Sequence, residues 1–283
     1  MRDDECVLFL QWALPRLDLA WSGFRKVRGQ VCKRVKRRMR GLGVARFSDY
    51  RARLDADPQE WRFLDGLCRI TISRFYRDRR TFSLLRHEIL PEIALRAAAQ
   101  KRQARLWSAG CASGEEPYTL KLLWDLEVRP RFREAGIDIV ATDMDETLLD
   151  RARRACYATA SLHELPSELR TLAFTGGEGC WRLRPEHRQG VVFLRQDIRR
   201  EAPPSRFDLV LCRNLAFTYF TPALQETVLK RIAVSLELGG FLVIGSHEQL
   251  LGSMTRWRRF RGNRTIFSLV SNEESLLAWD LDA

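Results

Sequence analysis

Nothing in this chain is spaced to hold a metal. Its four histidines, His87, His163, His187 and His247, lie far apart, and none stands at ligand spacing from a second histidine or a cysteine. The seven cysteines are odd in number and scattered, with no CxxC pair. That pattern argues against a disulfide framework as well as a zinc site, and leaves most of them to act as small buried hydrophobes. Also missing is any apolar run long enough to span a membrane, and the N-terminus lacks a signal peptide's basic-then-apolar layout. The expected location is therefore the cytoplasm, without membrane insertion. There is no GxSxG nucleophile signature, no internal repeat and no low-complexity linker. A GxGxxG fingerprint is lacking too, which disfavours a pyrophosphate ligand and with it NAD or FAD.

What is present suffices for a core: 283 residues, of which 45% are apolar. The formal net charge of +12 is concentrated. Between Phe24 and Leu54 stand twelve Lys or Arg against one acid, Asp49. Such a block marks either a surface for a polyanion or acidic partner, or a solvated helix face. Beneath it Val27, Val31, Val35 and Met39 recur every four residues, an apolar stripe under a cationic face. Gly41-Leu42-Gly43 stops that helix, and Asp57-Pro58 opens another through Leu67. Thr81 to Ala98 reads as a further helix with Pro91 as a break or kink.

From Arg105 onward strands and helices alternate. Strand-like runs are Arg105–Ala109, Ile137–Thr142, Val191–Leu194, Phe207–Cys212 and Phe241–Gly245; helix-like runs include Glu115–Val128, Glu146–Ala155 and Pro222–Leu236. This is the pattern of a doubly wound, mostly parallel α/β sheet, which takes its ligand at the carboxyl ends of its strands. The expected division is a helical domain over 1–100 and an α/β domain over 101–283, with the seam at Lys101-Arg102-Gln103. The tail, Trp257–Val270, reads as a closing hairpin around Gly262-Asn263.

The first βα turn is the focus. Leu106-Trp107 leads into Ser108-Ala109-Gly110-Cys111-Ala112-Ser113-Gly114, and Glu115-Glu116-Pro117 opens a helix. Small residues let a ligand approach the backbone, and the first helical N–H groups point at it. The two glutamates repel phosphate and suit an amine, a sulfonium or hydroxyls. An ordinary turn whose acids complement the helix dipole is the competing reading. The second strand ends in Asp143-Met144-Asp145, where an acid can accept from ribose hydroxyls; Asp145 is placed to cap the next helix. Gln196-Asp197 ends the third strand, beside an adenine edge in such folds. Arg213-Asn214 and Tyr219-Phe220 follow the fourth, with a structural ion pair as the plain alternative for Arg213 and packing for Tyr219. His247-Glu248, after the fifth strand, reads as a buttress.

Taken together, Lys36-Arg37-Arg38-Met39-Arg40-Gly41-Leu42-Gly43, Trp107 to Tyr118, Ala141 to Asp145, Phe207 to Asn214 and Gly239-Gly240-Phe241-Leu242 resemble the chemotaxis-receptor glutamate methyltransferase family of CheR type. That resemblance covers nearly the whole chain. It implies a Rossmann-like methyltransferase domain behind a small all-α N-terminal domain, with S-adenosylmethionine as methyl donor and S-adenosylhomocysteine as product. By the same resemblance Glu116 holds the methionine end of the cofactor and Asp143 the ribose, with Ala109, Gly110 and Met144 beside them. Asp197 and Ile198 lie against the adenine, and Asn214 and Leu215 line the same pocket. Thr71, Ser73 and Arg77 stand near the cofactor, while Arg77 and Tyr219 flank the transferred methyl. The acceptor it implies is an acidic protein, such as a chemoreceptor cytoplasmic region, docked by the basic helix Arg25–Arg40, and the chain itself is expected to be a monomer; nucleic acid is disfavoured because few aromatics interleave the basic block.

Five features depart from that family's pattern. Thr71 stands where it has Asn, Ser73 where it has Thr, and Asp197 where it has Asn. The Asn214–Tyr219 stretch is one residue longer, and Gly245-Ser246-His247-Glu248 is permuted. These leave two alternatives open: the same cofactor chemistry on a small molecule or another protein, and a non-catalytic module that senses the cofactor.

Overall fold

The computed structural model describes residues 3–177, 179–250 and 255–271. Two compact units are present, one of residues up to 71 together with 215–225, the other of 72–214 with the residues from 226 on. The sequence grammar put the seam near Lys101, where helix gives way to strand. The compact units instead divide at residue 71, because the helices over 79–99 bury their apolar faces on the sheet. Phe82, Leu85, Ile89, Leu90, Ile93 and Ala97 share one core with Leu106, Ile139 and Leu209.

The first unit is built of helices Asp3–Ala13, Arg28–Gly41, Phe47–Ala56 and Pro58–Cys68, with short turns of helix at Trp21–Phe24 and Ala216–Tyr219. The apolar stripe of Arg28–Gly41 buries Val31, Val35 and Met39 with Cys32, and leaves Lys33, Arg37 and Arg40 exposed. Two of its arginines turn inward. Arg34 bonds the carbonyls of Leu67 and Arg69, and Arg38 forks onto the buried Glu60 at 3.0 and 2.7 Å. Glu60 also accepts from the Tyr50 hydroxyl at 2.6 Å. Pro58 starts its helix with Asp57 as cap, whose carboxylate accepts the Gln59 N–H at 2.9 Å.

Among its described residues the second unit carries ten strands: β1 (Ala104–Ala109), β2 (Ile137–Asp143), β3 (Cys156–Tyr157), β4 (Phe174–Gly176), β5 (Trp181–Leu183), β6 (Val191–Arg195), β7 (Phe207–Leu211), β8 (Leu236–Val243), β9 (Trp257–Arg259) and β10 (Ile266–Leu269). Seven of them form one sheet in the order β6-β2-β1-β7-β8-β10-β9. The first five run parallel, and β9–β10 close the far side as an antiparallel hairpin. The central strand β7 is buried at every position, as a strand covered on both faces must be. Strand order reverses between β1 and β7, so the crevice that binds ligands in such sheets opens at the carboxyl ends of those two strands.

Three features depart from the sequence expectation. β8 begins at Leu236, ahead of Gly239-Gly240, with a register irregularity against β7 and Gly239 at positive φ. A three-stranded antiparallel sheet, β3-β5-β4, fills 156–183; its strands of two or three residues carry no readable alternation. The cysteines are corrected too. Cys6 pairs with Cys32 and Cys156 with Cys180, at Cα separations of 6.0 and 5.6 Å, while Cys68, Cys111 and Cys212 form no disulfide and are buried. The partners lie 26 and 24 residues apart in sequence, so tertiary packing and no short motif brings them together. Pro91 sits just after a π-turn over Leu85–Ile89, the widened turn that accommodates a ring lacking an N–H. No helix of the described residues is long and apolar enough to cross a membrane.

Candidate active site

β1 ends at Ala109, and the chain turns sharply on residues with left-handed backbones: Gly110 at φ 75°, Ala112 at φ 48° and Gly114 at φ 90°. Thr142, at the end of β2, accepts the N–H groups of Gly110 and Cys111 at 2.8 and 3.0 Å. Gly114 is required twice over. Its φ suits glycine, and a Cβ there would stand 2.8 Å from that of Ala152. The helix Glu115–Leu123 starts directly behind it.

The two glutamates of that first turn have separate surroundings. Glu115 is 3% exposed, accepts both ways from the Ser113 hydroxyl at 3.0 and 2.9 Å, and is hydrogen-bonded by Ser73. Burial raises its pKa above the ordinary glutamate value against the pull of those hydrogen bonds. Glu116 lies at the crevice. Its Oε1 accepts from Ser108 Oγ at 2.8 Å and its Oε2 from Arg213 Nη1 at 2.8 Å.

Asp143 closes the second side. Its Oδ2 accepts the Ala112 N–H at 2.9 Å and its Oδ1 the Asp145 N–H at 2.9 Å, which fixes the carboxylate at the end of β2. Asp145 caps the helix Glu146–Arg154 through the Thr147 and Leu148 N–H groups. At the end of β6 the Asp197 carboxylate is gripped by Arg199, through Nε at 3.0 Å and Nη2 at 2.9 Å. Arg199 also reaches Met144 Sδ at 3.6 Å. Ile198 is buried beside them, and its carbonyl accepts from Arg231.

After β7 comes Arg213, whose side chain is 2% exposed. Besides Glu116 it holds the Arg77 carbonyl at 2.8 Å and Asp78 Oδ2 at 2.6 Å through Nη2, and it lies over the Phe82 ring. Tyr76 and Asp78, on either side of Arg77, have φ of 58° and 67°. Non-glycine residues pay for such backbones, and here the Tyr76 N–H is bonded to Thr119 Oγ1 and the Asp78 end to Arg213. The Arg77 guanidinium bonds the Ile72 carbonyl of its own segment at 2.7 Å. Asn214, at φ 54°, donates its N–H to Glu248 Oε2 at 2.8 Å; the same oxygen accepts from Gly245 at 2.6 Å. Glu248 thus braces the turn after β7, whereas His247 is exposed.

Within the second unit the structure therefore brings Ser73, Arg77, Ala109, Gly110, Glu116, Asp143, Met144, Asp197, Ile198 and Asn214 to the strand ends and the turns that pack on them. Thr71, Leu215 and Tyr219 belong to the first unit. Thr71 is exposed. Tyr219 ends the helix Ala216–Tyr219, its carbonyl accepting the Ala20 N–H at 2.8 Å and its ring 5.1 Å from that of Phe24. Sequence reasoning missed Gly23, where a Cβ would stand 2.1 Å from the Thr218 carbonyl oxygen. It also weighed Arg213 as an ion pair without seeing that one guanidinium serves three partners.

A parallel sheet whose switch-point crevice is lined by a fixed carboxylate on the first helix and another on the second strand defines the class: a Rossmann-like methyltransferase domain that binds S-adenosylmethionine. Comparison with known proteins makes the assignment specific. Residues 71–267 match the family described as CheR methyltransferase, SAM binding domain, and residues 26–64 match CheR methyltransferase, all-alpha domain. The chain belongs to the CheR methyltransferase family. It is 33% identical over 223 residues to an uncharacterized 104.1 kDa protein in the hypE 3'region of Rhodobacter capsulatus, a match covering 79% of this chain and 23% of that protein. It is 33% identical over 186 residues to a chemotaxis protein methyltransferase of Listeria innocua, covering 66% of this chain and 68% of the relative. Chemotaxis protein methyltransferase 1 of Pseudomonas aeruginosa is 33% identical over 181 residues, covering 62% and 65%.

Proposed function

We propose that this enzyme methylates glutamate side-chain carboxylates of an acidic protein, a chemoreceptor cytoplasmic region as the family resemblance implies; its relatives include proteins named chemotaxis protein methyltransferase. The observation that supports this most is the Glu116–Arg213–Asp78 bridge, which ties the crevice acid to the turn bearing Arg77. The residues present fit the cofactor. Glu116 holds the amino end, Asp143 the ribose hydroxyls, and the Gly110–Gly114 turn leaves backbone room for the sulfur-bearing chain. Asp197, held by Arg199, and Ile198 would border the adenine, with Met144 and Asn214 in the same lining; Leu215 is a candidate by the family resemblance alone. Thr71 and Ser73 keep hydroxyls where the family pattern has an amide and a hydroxyl.

When bound, S-adenosylmethionine supplies a methyl group on a sulfonium, which an ionised carboxylate oxygen takes with the bonding electrons returning to sulfur. A glutamate acceptor is already ionised at neutral pH, so the protein needs no general base. Its contribution is positioning and exclusion of water. Arg77 orients the acceptor carboxylate by a charge-assisted contact, and Tyr219 is the second acceptor-facing residue by family likeness. Exposed Lys33, Arg37 and Arg40, with Arg25, Lys26 and Arg28 before them, dock the acidic surface of the acceptor. The chain works in the cytoplasm as a monomer.

The test is transfer of labelled methyl from S-adenosylmethionine to a purified chemoreceptor cytoplasmic fragment, followed by base. Release of the label as methanol supports a carboxyl ester; base-stable label, or none with the cofactor bound, contradicts it.

A further inference from the structure

We propose that Arg213 is a positioning residue that couples cofactor binding to alignment of the acceptor-facing turn. The inference rests on the reading of Glu116 as a cofactor contact and Arg77 as an acceptor contact, and it adds a link between them. One buried guanidinium is shared. Nη1 holds Glu116 Oε2 at 2.8 Å, and Nη2 holds Asp78 Oδ2 at 2.6 Å and the Arg77 carbonyl at 2.8 Å. The other oxygen of Glu116 is already held by Ser108, so a shift of this carboxylate toward a bound amine is transmitted through Arg213. The receiving end is a turn with two left-handed non-glycine residues, Tyr76 and Asp78. A backbone of that kind persists only where its surroundings fix it. The beginning of the segment has separate anchors, Ser73 on Glu115 and the Tyr76 N–H on Thr119. Loss of the Arg213 link therefore frees Arg77 and Asp78 without releasing the whole segment. A lysine can satisfy one of these partners as a point charge, whereas the planar fork serves all three.

Arg213→Lys and Asp78→Asn test this, with circular dichroism and thermal melting to establish that each variant is folded. Calorimetric titration with S-adenosylhomocysteine and hydrogen–deuterium exchange over residues 72–78 give readouts that need no acceptor. In the wild type, S-adenosylhomocysteine slows exchange over 72–78. In Arg213→Lys its dissociation constant rises roughly tenfold and that protection is lost. In Asp78→Asn the affinity stays within about threefold while the protection is again lost, since only the turn side of the link is cut. With the acceptor, both variants lose at least about tenfold in kcat. Ligand-induced protection that survives in both variants overturns the coupling, as does unchanged affinity in Arg213→Lys. If the wild type methylates no glutamate acceptor the functional reading fails, and the affinity and exchange results still decide on Arg213.

Discussion

Asp143 and Ala112 lock the first and second strand ends together. The carboxylate at the end of β2 accepts the Ala112 N–H at 2.9 Å, so the acid proposed to face the ribose also fixes the turn after β1. Asp143→Ala thus removes the proposed ribose contact and orphans two N–H groups, those of Ala112 and Asp145. A hydrogen bond to a charged group contributes about 1.5–3 kcal/mol, and an unsatisfied buried donor costs about 1–3 kcal/mol. The expected result is a loss of ten- to a hundredfold in S-adenosylhomocysteine affinity by calorimetry, with a lowered melting temperature. An unchanged affinity removes Asp143 from the cofactor site.

Arg77 is expected to act on the acceptor. Among the described residues its guanidinium bonds the Ile72 carbonyl of its own segment, so it can swing to a carboxylate at little structural cost. Arg77→Ala should abolish turnover while S-adenosylhomocysteine binds within about threefold of the wild type. Equal losses in the titration and the activity assay reject it as a substrate-positioning residue.

Two buried glutamates give stability of opposite pH dependence. Glu115 is raised by burial, so its neutral form stabilises the fold fully below the unfolded value of 4.5, and this is lost as pH rises through the higher folded value. Burial also pushes Glu60 up, but the hydrogen bonds from Arg38 and Tyr50 and the Arg38 charge outweigh it and leave it lowered. Its contribution is present above 4.5 and is lost as pH falls through the lower folded value. In melts across pH 3–8, roughly the range these groups span, the Glu115→Gln melting temperature should gain on the wild type as pH rises above 4.5. For Glu60→Gln the deficit should shrink as pH falls below 4.5. A difference that is constant with pH contradicts either assignment.

Gly23→Ala tests the placement of Tyr219 within the first unit. The added methyl collides with the Thr218 carbonyl, 2.1 Å away, and backbone on both sides must move. A lower melting temperature is expected, together with a fall in kcat larger than any change in cofactor affinity. Wild-type kcat in this variant separates Tyr219 from the reaction.

Much of the second unit was legible in its sequence. β1, β2, β6 and β7 are apolar runs bounded by turn residues, and the acid at 143 lies where strand grammar puts it. The closing hairpin was readable around Gly262-Asn263. What escaped depends on distance along the chain. Arg213 meets Glu116 across 97 residues and Asp78 across 135, and no local pattern announces such partners. The same holds for Cys6–Cys32 and Cys156–Cys180. Helices over 79–99 look like a continuation of the N-terminal helices because their period is helical, and only packing reveals that their apolar face is made for the sheet. Glu115 and Glu116 are equivalent as letters; the turn at Gly114 separates them, burying the first and leaving the second at the crevice.

The central claim is carboxyl methylation of a protein glutamate, and mass spectrometry of the acceptor tests it most directly. After incubation with S-adenosylmethionine, peptides of the chemoreceptor fragment should carry single methyl additions that fragmentation places on glutamate side chains and that mild base removes. Methylation on lysine, on an amide nitrogen or on a small molecule alone, with the glutamates unmodified, would contradict the account.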